Sequence, residues 1–187
     1  MKNILKTTLL CSMFFGTFTF AQVSQWQIVR EDSTITFTGT QNDAPVKGEF
    51  TGFDGQIYFD EKNLKESHVN FSVDMNSVKA SFAELASMLK TLDWFDTTDF
   101  PTATFTSTEI TPKAANQYQV TGDLKIRDKK SPITFLISVD QNTPNKLLVK
   151  GETNIKRTTY GVGQGDWADT KEIKDDVKVN FKIDLKK

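Results

Sequence analysis

One cysteine and one histidine occur in 187 residues, with five prolines and no block of basic residues. Each scarcity excludes a class of function. The cysteine, Cys11, lies in an N-terminal stretch expected to be removed. The remaining chain then has no thiol for a disulfide, a nucleophile or an iron–sulfur ligand. The histidine, His68, stands at the start of an expected strand with no motif around it, and reads as a surface or edge residue. The chain has no nucleophile elbow, no H-E-x-x-H and no phosphate-binding Walker loop. A formal charge of −1 without a basic patch argues against nucleic acid as the main partner.

The N-terminus has the order of a secretory signal. Lys2 and Lys6 precede an apolar run from Leu9 to Phe20, which ends at Thr19-Phe20-Ala21. The run is shorter than the roughly 20 residues a spanning helix needs. Thr8-Leu9-Leu10 lacks the small residues that precede a lipidated cysteine. Cleavage after Ala21 is expected, which places the protein in the periplasm or outside the cell. It leaves Gln22–Lys187, 166 residues with 21 basic and 24 acidic side chains. That length suits a single domain, residues 22–187.

What is abundant is alternation. Val177, Val179, Phe181, Ile183 and Leu185 take every second place, and polar side chains fill the others. Successive side chains of a strand point to opposite faces, so this is a strand with one dry side. The pattern recurs at Val69–Val73, Tyr118–Ile126 and Ile133–Val139. Further strands are expected at Trp26–Val29, Ser33–Thr38, Val46–Phe59, Ala103–Ile110 and Leu147–Ile155. Gly48, Gly52 and Gly55 interrupt the longest of these, where glycine marks a bulge or bend. Turn chemistry at Gln41–Asp43, Glu61–Asn63, Pro112–Asn116, Arg127–Ser131 and Gln141–Asn145 separates the runs. An all-β fold follows, an antiparallel barrel or sandwich of about eight or nine strands.

One segment has helical periodicity. Ser81 and Glu84 have the spacing of a capping box, and Leu85, Met88, Leu89 and Leu92 then form one apolar stripe. With Trp94, Phe95 and Phe100 this segment concentrates apolar surface beside a barrel that already has a core. It plugs an open end, lines a pocket there, or does both. Barrels of eight strands are wide enough to be filled by side chains or to hold one small ligand. Asp93, Asp96 and Asp99 lack the ligand count of a calcium loop and read as turn and capping residues. Gly161-Val162-Gly163-Gln164-Gly165 reads as a flexible hairpin or a barrel-mouth loop, since no helix clearly follows to make it an anion cradle.

Several stretches together resemble one family. Phe50–Asp60, with Gly52, Phe53, Gly55, Ile57 and Phe59, resembles the G-x-F-x-x-F-x-G-x-I-x-F-D region of YceI-like proteins. Asp93-Trp94-Phe95-Asp96 followed by Pro101–Ser107, and Gly122–Arg127, are similar to later family segments in the right order. Arg157–Trp167 resembles the ending of a subgroup related to periplasmic domains joined to b-type cytochromes. The resemblance implies a lipocalin-like barrel holding an extended apolar ligand: a polyisoprenoid, a quinone-like tail or a fatty acyl chain. It implies no cofactor and no catalytic residue, and leaves room for a homodimer and a membrane redox partner.

The residues assigned to the ligand are Phe37, Phe50, Phe71, Phe105 and Phe135 on strands, and Leu85, Met88 and Leu89 on the helix. Trp94, Phe95 and Tyr160 complete the set. Two departures from the family matter. Leu85-Ala86-Ser87-Met88-Leu89 stands where many members carry a charged Arg-Asp-x-His-Leu, which favours a neutral head group or a bare chain. Asp128 stands where the family usually has glycine, and aspartate tolerates a positive φ at that turn. Two functions stay open at this point, a lipid carrier and a structural or stress-related interaction protein with a packed barrel. An enzyme acting on a lipid is a distant third.

Overall fold

A computed structural model describes residues 23–187. The expected signal segment and Cys11 lie outside the described residues. The alternating runs form strands β1 (Gln25–Ile28), β2 (Thr34–Gln41), β3 (Ala44–Phe50), β4 (Phe53–Tyr58), β5 (His68–Asp74) and β6 (Val78–Ala80). After helix α1 (Ala83–Leu89) come β7 (Thr102–Ala114), β8 (Gln117–Ile126), β9 (Lys129–Thr143), β10 (Lys146–Lys156) and β11 (Asp176–Lys186). Every pairing is antiparallel. β1 pairs with both β4 and β11, which closes the ring β1-β4-β5-β7-β8-β9-β10-β11 into an eight-stranded barrel.

The N-terminal half of the barrel is built from strands broken midway. β1 and β2 both lie against β11, at Leu185–Lys186 and Lys178–Lys182, with a bend at residues 29–33 between them. The expected single strand Val46–Phe59 is likewise two, β3 and β4, interrupted at Thr51-Gly52. β5 and β6 are separated by a short 3-10 turn at Met75–Ser77. The breaks are satisfied locally: Asp74 N–H donates to the Gly52 carbonyl at 2.8 Å, and the Ser77 hydroxyl to Asp74 O at 2.6 Å. A Cβ on Gly52 would sit 3.0 Å from Ser77 Cβ and 3.1 Å from Asp74 Cβ, so these side chains pack closely over the glycine.

Beyond the breaks, β2, β3 and β6 continue as one edge of the barrel. Among the described residues β6 has no second strand partner, and α1 packs against it in the gap before β7. The helix is shorter than its periodicity suggests. It ends at Leu89, so Leu92 lies past it and is 68% exposed. The capping box does not form either. Phe82 is the N-cap residue, and the Ser81 hydroxyl donates to the Lys47 carbonyl at 3.1 Å. A neighbouring strand satisfies Ser81 in place of the helix terminus.

Turns follow local chemistry in most places. Asn42 and Asp43 both have positive φ in a two-residue hairpin loop between Gln41 and Ala44, which matches the twist of the flanking strands. Pro112, expected in a turn, belongs to β7 opposite Tyr118. At the β8–β9 hairpin the residue with positive φ is Arg127, at 55°, and Asp128 is not in that region. A non-glycine residue held there costs on the order of 1–3 kcal/mol. The buried contacts of the Arg127 side chain, described below, hold it in place.

Candidate functional site

The inward faces of the strands enclose a cavity of about 330 Å³. Phe37, Phe50, Phe71, Phe105 and Phe135 line it from the strands, Leu85, Met88 and Leu89 from α1, and Trp94, Phe95 and Tyr160 from the connecting segments. All the residues assigned to a ligand on sequence grounds therefore share one space. Neighbouring rings touch in a chain, Phe37 to Phe50 at 5.5 Å and Phe50 to Phe95 at 5.8 Å between centroids. Phe105, Phe135 and Phe181 form a second chain at 5.4 and 5.6 Å.

So many phenylalanines ought to fill a barrel of this size. Glycines on the neighbouring strands prevent it. Phe37 lies opposite Gly48, Phe71 opposite Gly55 and Phe181 opposite Gly151. A Cβ at any of these glycines would collide with the ring it faces, and one at Gly122 would collide with Phe105. The rings fold over the bare backbone and lie against the wall. This is why the lumen stays open, and glycine's missing side chain decides it.

The two ends differ in chemistry. At the β1 end Phe59 closes the lumen, backed by Trp26 and Tyr118. The Trp26 indole N–H donates to Phe59 O at 2.9 Å, and the Phe59 and Tyr118 rings meet edge-on at 5.2 Å. Leu147 and Leu185, only 3% and 2% exposed, complete this floor. At the α1 end the polar wall residues gather: Thr40 and Gln41 of β2, Thr153 of β10, and Arg157 and Lys174 beyond it. Lys174 N–H donates to Thr40 O at 2.9 Å, which joins the β2 end to the segment before β11. The Lys174 ammonium donates to Lys171 O at 2.9 Å and lies 3.3 Å from Asp43 Oδ1.

Two buried arginines organise that end. Arg157, 3% exposed, donates to the carbonyls of Val162, Gly163, Asp169, Ile173 and Lys174 at 2.9–3.2 Å. Burial pushes its pKa down, opposed by the charge of Asp175, and the guanidinium stays a cation at any working pH. Gly163, at φ 77°, leaves the room that the guanidinium occupies. Arg127 reaches across from the β8–β9 turn to the carbonyls of Leu92, at 2.7 Å, and Trp94, at 2.5 Å. It also lies 3.8 Å from Asp96 Oδ2 and over the Phe100 ring. Asp93 O accepts from the N–H groups of Gly163 and Gln164 at 2.8 and 2.7 Å, so the two segments are tied together. The glycine-rich run is thus a loop over the barrel end.

The sequence reading missed both arginines as organisers. The signal available was their position, each directly following an alternating strand. Tyr160 is 2% exposed, and burial raises its hydroxyl pKa while a hydrogen bond with Ser131 partly offsets that. His68 is far from this chemistry. It is exposed on β5, stacked on Tyr58 at 4.5 Å, with Nδ1 2.9 Å from Glu66 O. Among the described residues no group of three histidine, cysteine or acidic side chains is arranged to hold a metal ion.

The model of the YceI-like domain matches residues 26–185. The chain belongs to the YceI-like family. Among curated relatives, a UPF0312 protein of Vibrio parahaemolyticus is 38% identical over 90 residues, 48% of either chain. Protein YceI of Shigella flexneri is 39% identical over 88 residues, 47% of this chain and 46% of the relative. The matches thus span about half the length of these relatives. The crystal structure of Burkholderia cenocepacia BcnA superposes with a TM-score of 0.81 at 30% identity, covering 84% of this chain and 98% of that one. A polyisoprenoid-binding domain from Saccharophagus degradans gives a TM-score of 0.68 at 15% identity, covering 86% and 97%. At that identity the likeness concerns the fold alone. This YceI-like barrel has an open lumen, an aromatic floor and an arginine-pinned mouth.

Proposed function

We propose that this YceI-like protein is a carrier that holds one extended apolar ligand in the barrel lumen. The ligand is an isoprenoid, a quinone-like tail or a fatty acyl chain, and the protein performs no chemistry on it. One observation carries the reading: the cavity wall is apolar along its length, with polar residues only at the α1 end. A long hydrocarbon gains about 0.8 kcal/mol for each CH₂ it buries and needs few polar contacts. The polar mouth supplies Thr40, Gln41 and Thr153 for a small head group. No charged side chain of α1 lines the cavity. The two cations that do line it, Arg157 and Lys174, are already engaged by backbone carbonyls and Asp43, which favours a neutral head. The protein works after export, in the periplasm or outside the cell, with its mature N-terminus at Gln22. N-terminal sequencing of exported material checks this, and material beginning at Met1 overturns it.

Organic extraction of the purified protein followed by mass spectrometry tests the carrier. A single recovered lipid class supports it, and repeatedly clean extracts point to an interaction protein. Met88→Trp sharpens the test. Met88 lines the cavity and is half-buried, so the indole occupies ligand space and displaces an acyl probe while the fold survives. A large loss of stability without probe binding is the result expected of a packed core, where overpacking costs about 1–3 kcal/mol.

A further inference from the structure

The carrier reading leaves the length of the ligand open, and the barrel itself supplies it. β11 contributes Val177, Val179, Phe181, Ile183 and Leu185 to the wall, and β10 spans the same height from Leu147 to Ile155. Strands advance about 3.4 Å per residue and tilt about 40° in such barrels, so these spans cover about 21 Å of the axis. Carbon–carbon bonds of about 1.5 Å give a trans chain about 1.25 Å of advance per carbon.

The lower limit of that length is a wall. Phe59, Leu147 and Leu185 line the cavity there, whereas Trp26 and Tyr118 pack behind them without reaching it. Trp26 is held from two sides, by its hydrogen bond to Phe59 O at 2.9 Å and by the Lys187 ammonium 4.7 Å from its ring centroid. The polar wall residues Thr40, Gln41, Thr153 and Lys174 are all at the other end. A ligand has one way to lie: head at the α1 end, tail tip against the floor.

We infer that the lumen is a blind ruler, filled by about 16 main-chain carbons, or about four isoprene units, with the tail tip on Leu147 and Leu185. This rests on the carrier reading and goes further. Chains beyond that length leave their excess in solvent at the mouth and gain nothing from it.

The test is a chain-length series on the mature protein. Saturated fatty amides from about 8 to about 22 carbons, delivered from cyclodextrin, compete with the dye 1-anilinonaphthalene-8-sulfonate. Affinity is expected to rise about fourfold with each added CH₂ and to level off near 16 carbons. A rise that continues to the longest amide shows an open tunnel and overturns the ruler while leaving the carrier intact. If no amide of any length displaces the dye, the carrier and the ruler fall together. Two variants locate the floor. Leu147→Ala moves the break to longer chains, and Val149→Phe, with its side chain in the lumen, moves it to shorter ones. A break that stays in place in both folded variants shows that the floor is elsewhere. Should either variant fail to fold, the wild-type series alone decides.

Discussion

The two ends of the barrel are closed by different kinds of contact. At the β1 end Trp26, Phe59, Tyr118, Leu147 and Leu185 pack side chain against side chain in one cluster with the strands that carry them. At the α1 end Arg127 and Arg157 bind backbone carbonyls of segments that belong to no strand. Packing of the first kind is lost only when the barrel itself opens. Clamps of the second kind can release a loop while the ring of strands stays paired. The two clamps are also unequal. Arg157 makes five hydrogen bonds through all three of its nitrogens. Arg127 makes two, and its Nε has no hydrogen-bond partner among the described residues. The segment pinned by Arg127, which carries Trp94 and Phe95, is therefore held by fewer arginine hydrogen bonds than the segments around Arg157.

The largest effect is expected from breaking the floor. Trp26→Ala removes a buried aromatic and its hydrogen bond and should lower global stability by about 3–5 kcal/mol, read by urea unfolding. A loss below about 1 kcal/mol would mean that the floor packs loosely. Arg157→Met keeps the length of the side chain but removes its donors. Several buried carbonyls lose their partner, so a loss of about 3 kcal/mol is expected. Hydrogen exchange should rise first in residues 157–175, before the barrel strands. Uniform exchange across the whole molecule would refute the contrast between the ends.

Gly151→Ala is expected to act on the lumen. The added methyl displaces the Phe181 ring from the wall, at about 1–3 kcal/mol in stability. Acyl-probe affinity should fall further than stability does. Unchanged probe binding in the folded variant would show that the wall glycines do not keep the lumen open.

The smallest effect concerns acid. Burial raises the Asp175 pKa, but hydrogen bonds from the Thr158 N–H and hydroxyl, with the charges of Lys156 and Arg157, outweigh it and hold the carboxyl below 3.8. A depressed folded-state value contributes stability that is present above 3.8 and is lost as pH falls through the lower folded value. Asp175→Asn should therefore lower stability slightly at neutral pH, converge with wild type at low pH and so flatten the acid limb of the stability curve. An acid limb identical to wild type would remove Asp175 from the mouth's polar framework.

Much of the barrel was legible because its physics is local. Alternation at Val177–Leu185 and Ile133–Val139 needs only the two-residue period of a strand, and the inward rows follow from it. The cavity-lining set was legible for the same reason, with the added apolar stripe of α1. The errors arose where distant groups compete for a local one. Ser81 has the right spacing for a capping box, yet a carbonyl on β3 takes its hydroxyl. Arg127 adopts a backbone conformation suited to glycine because buried partners hold its side chain. No window of sequence contains both halves of either contest.

Residue order by itself determined the period-two strands, the presence of one amphipathic helix and the family to which they belong. Each depends on neighbours a few positions apart, where propensity and side-chain direction act directly. Tertiary structure alone decided that the lumen is open and that one end is blind. Both depend on pairs such as Phe181 with Gly151 and Trp26 with Phe59, brought together by strand register. Register is a property of the closed ring, since a one-residue slip would turn every inward side chain outward.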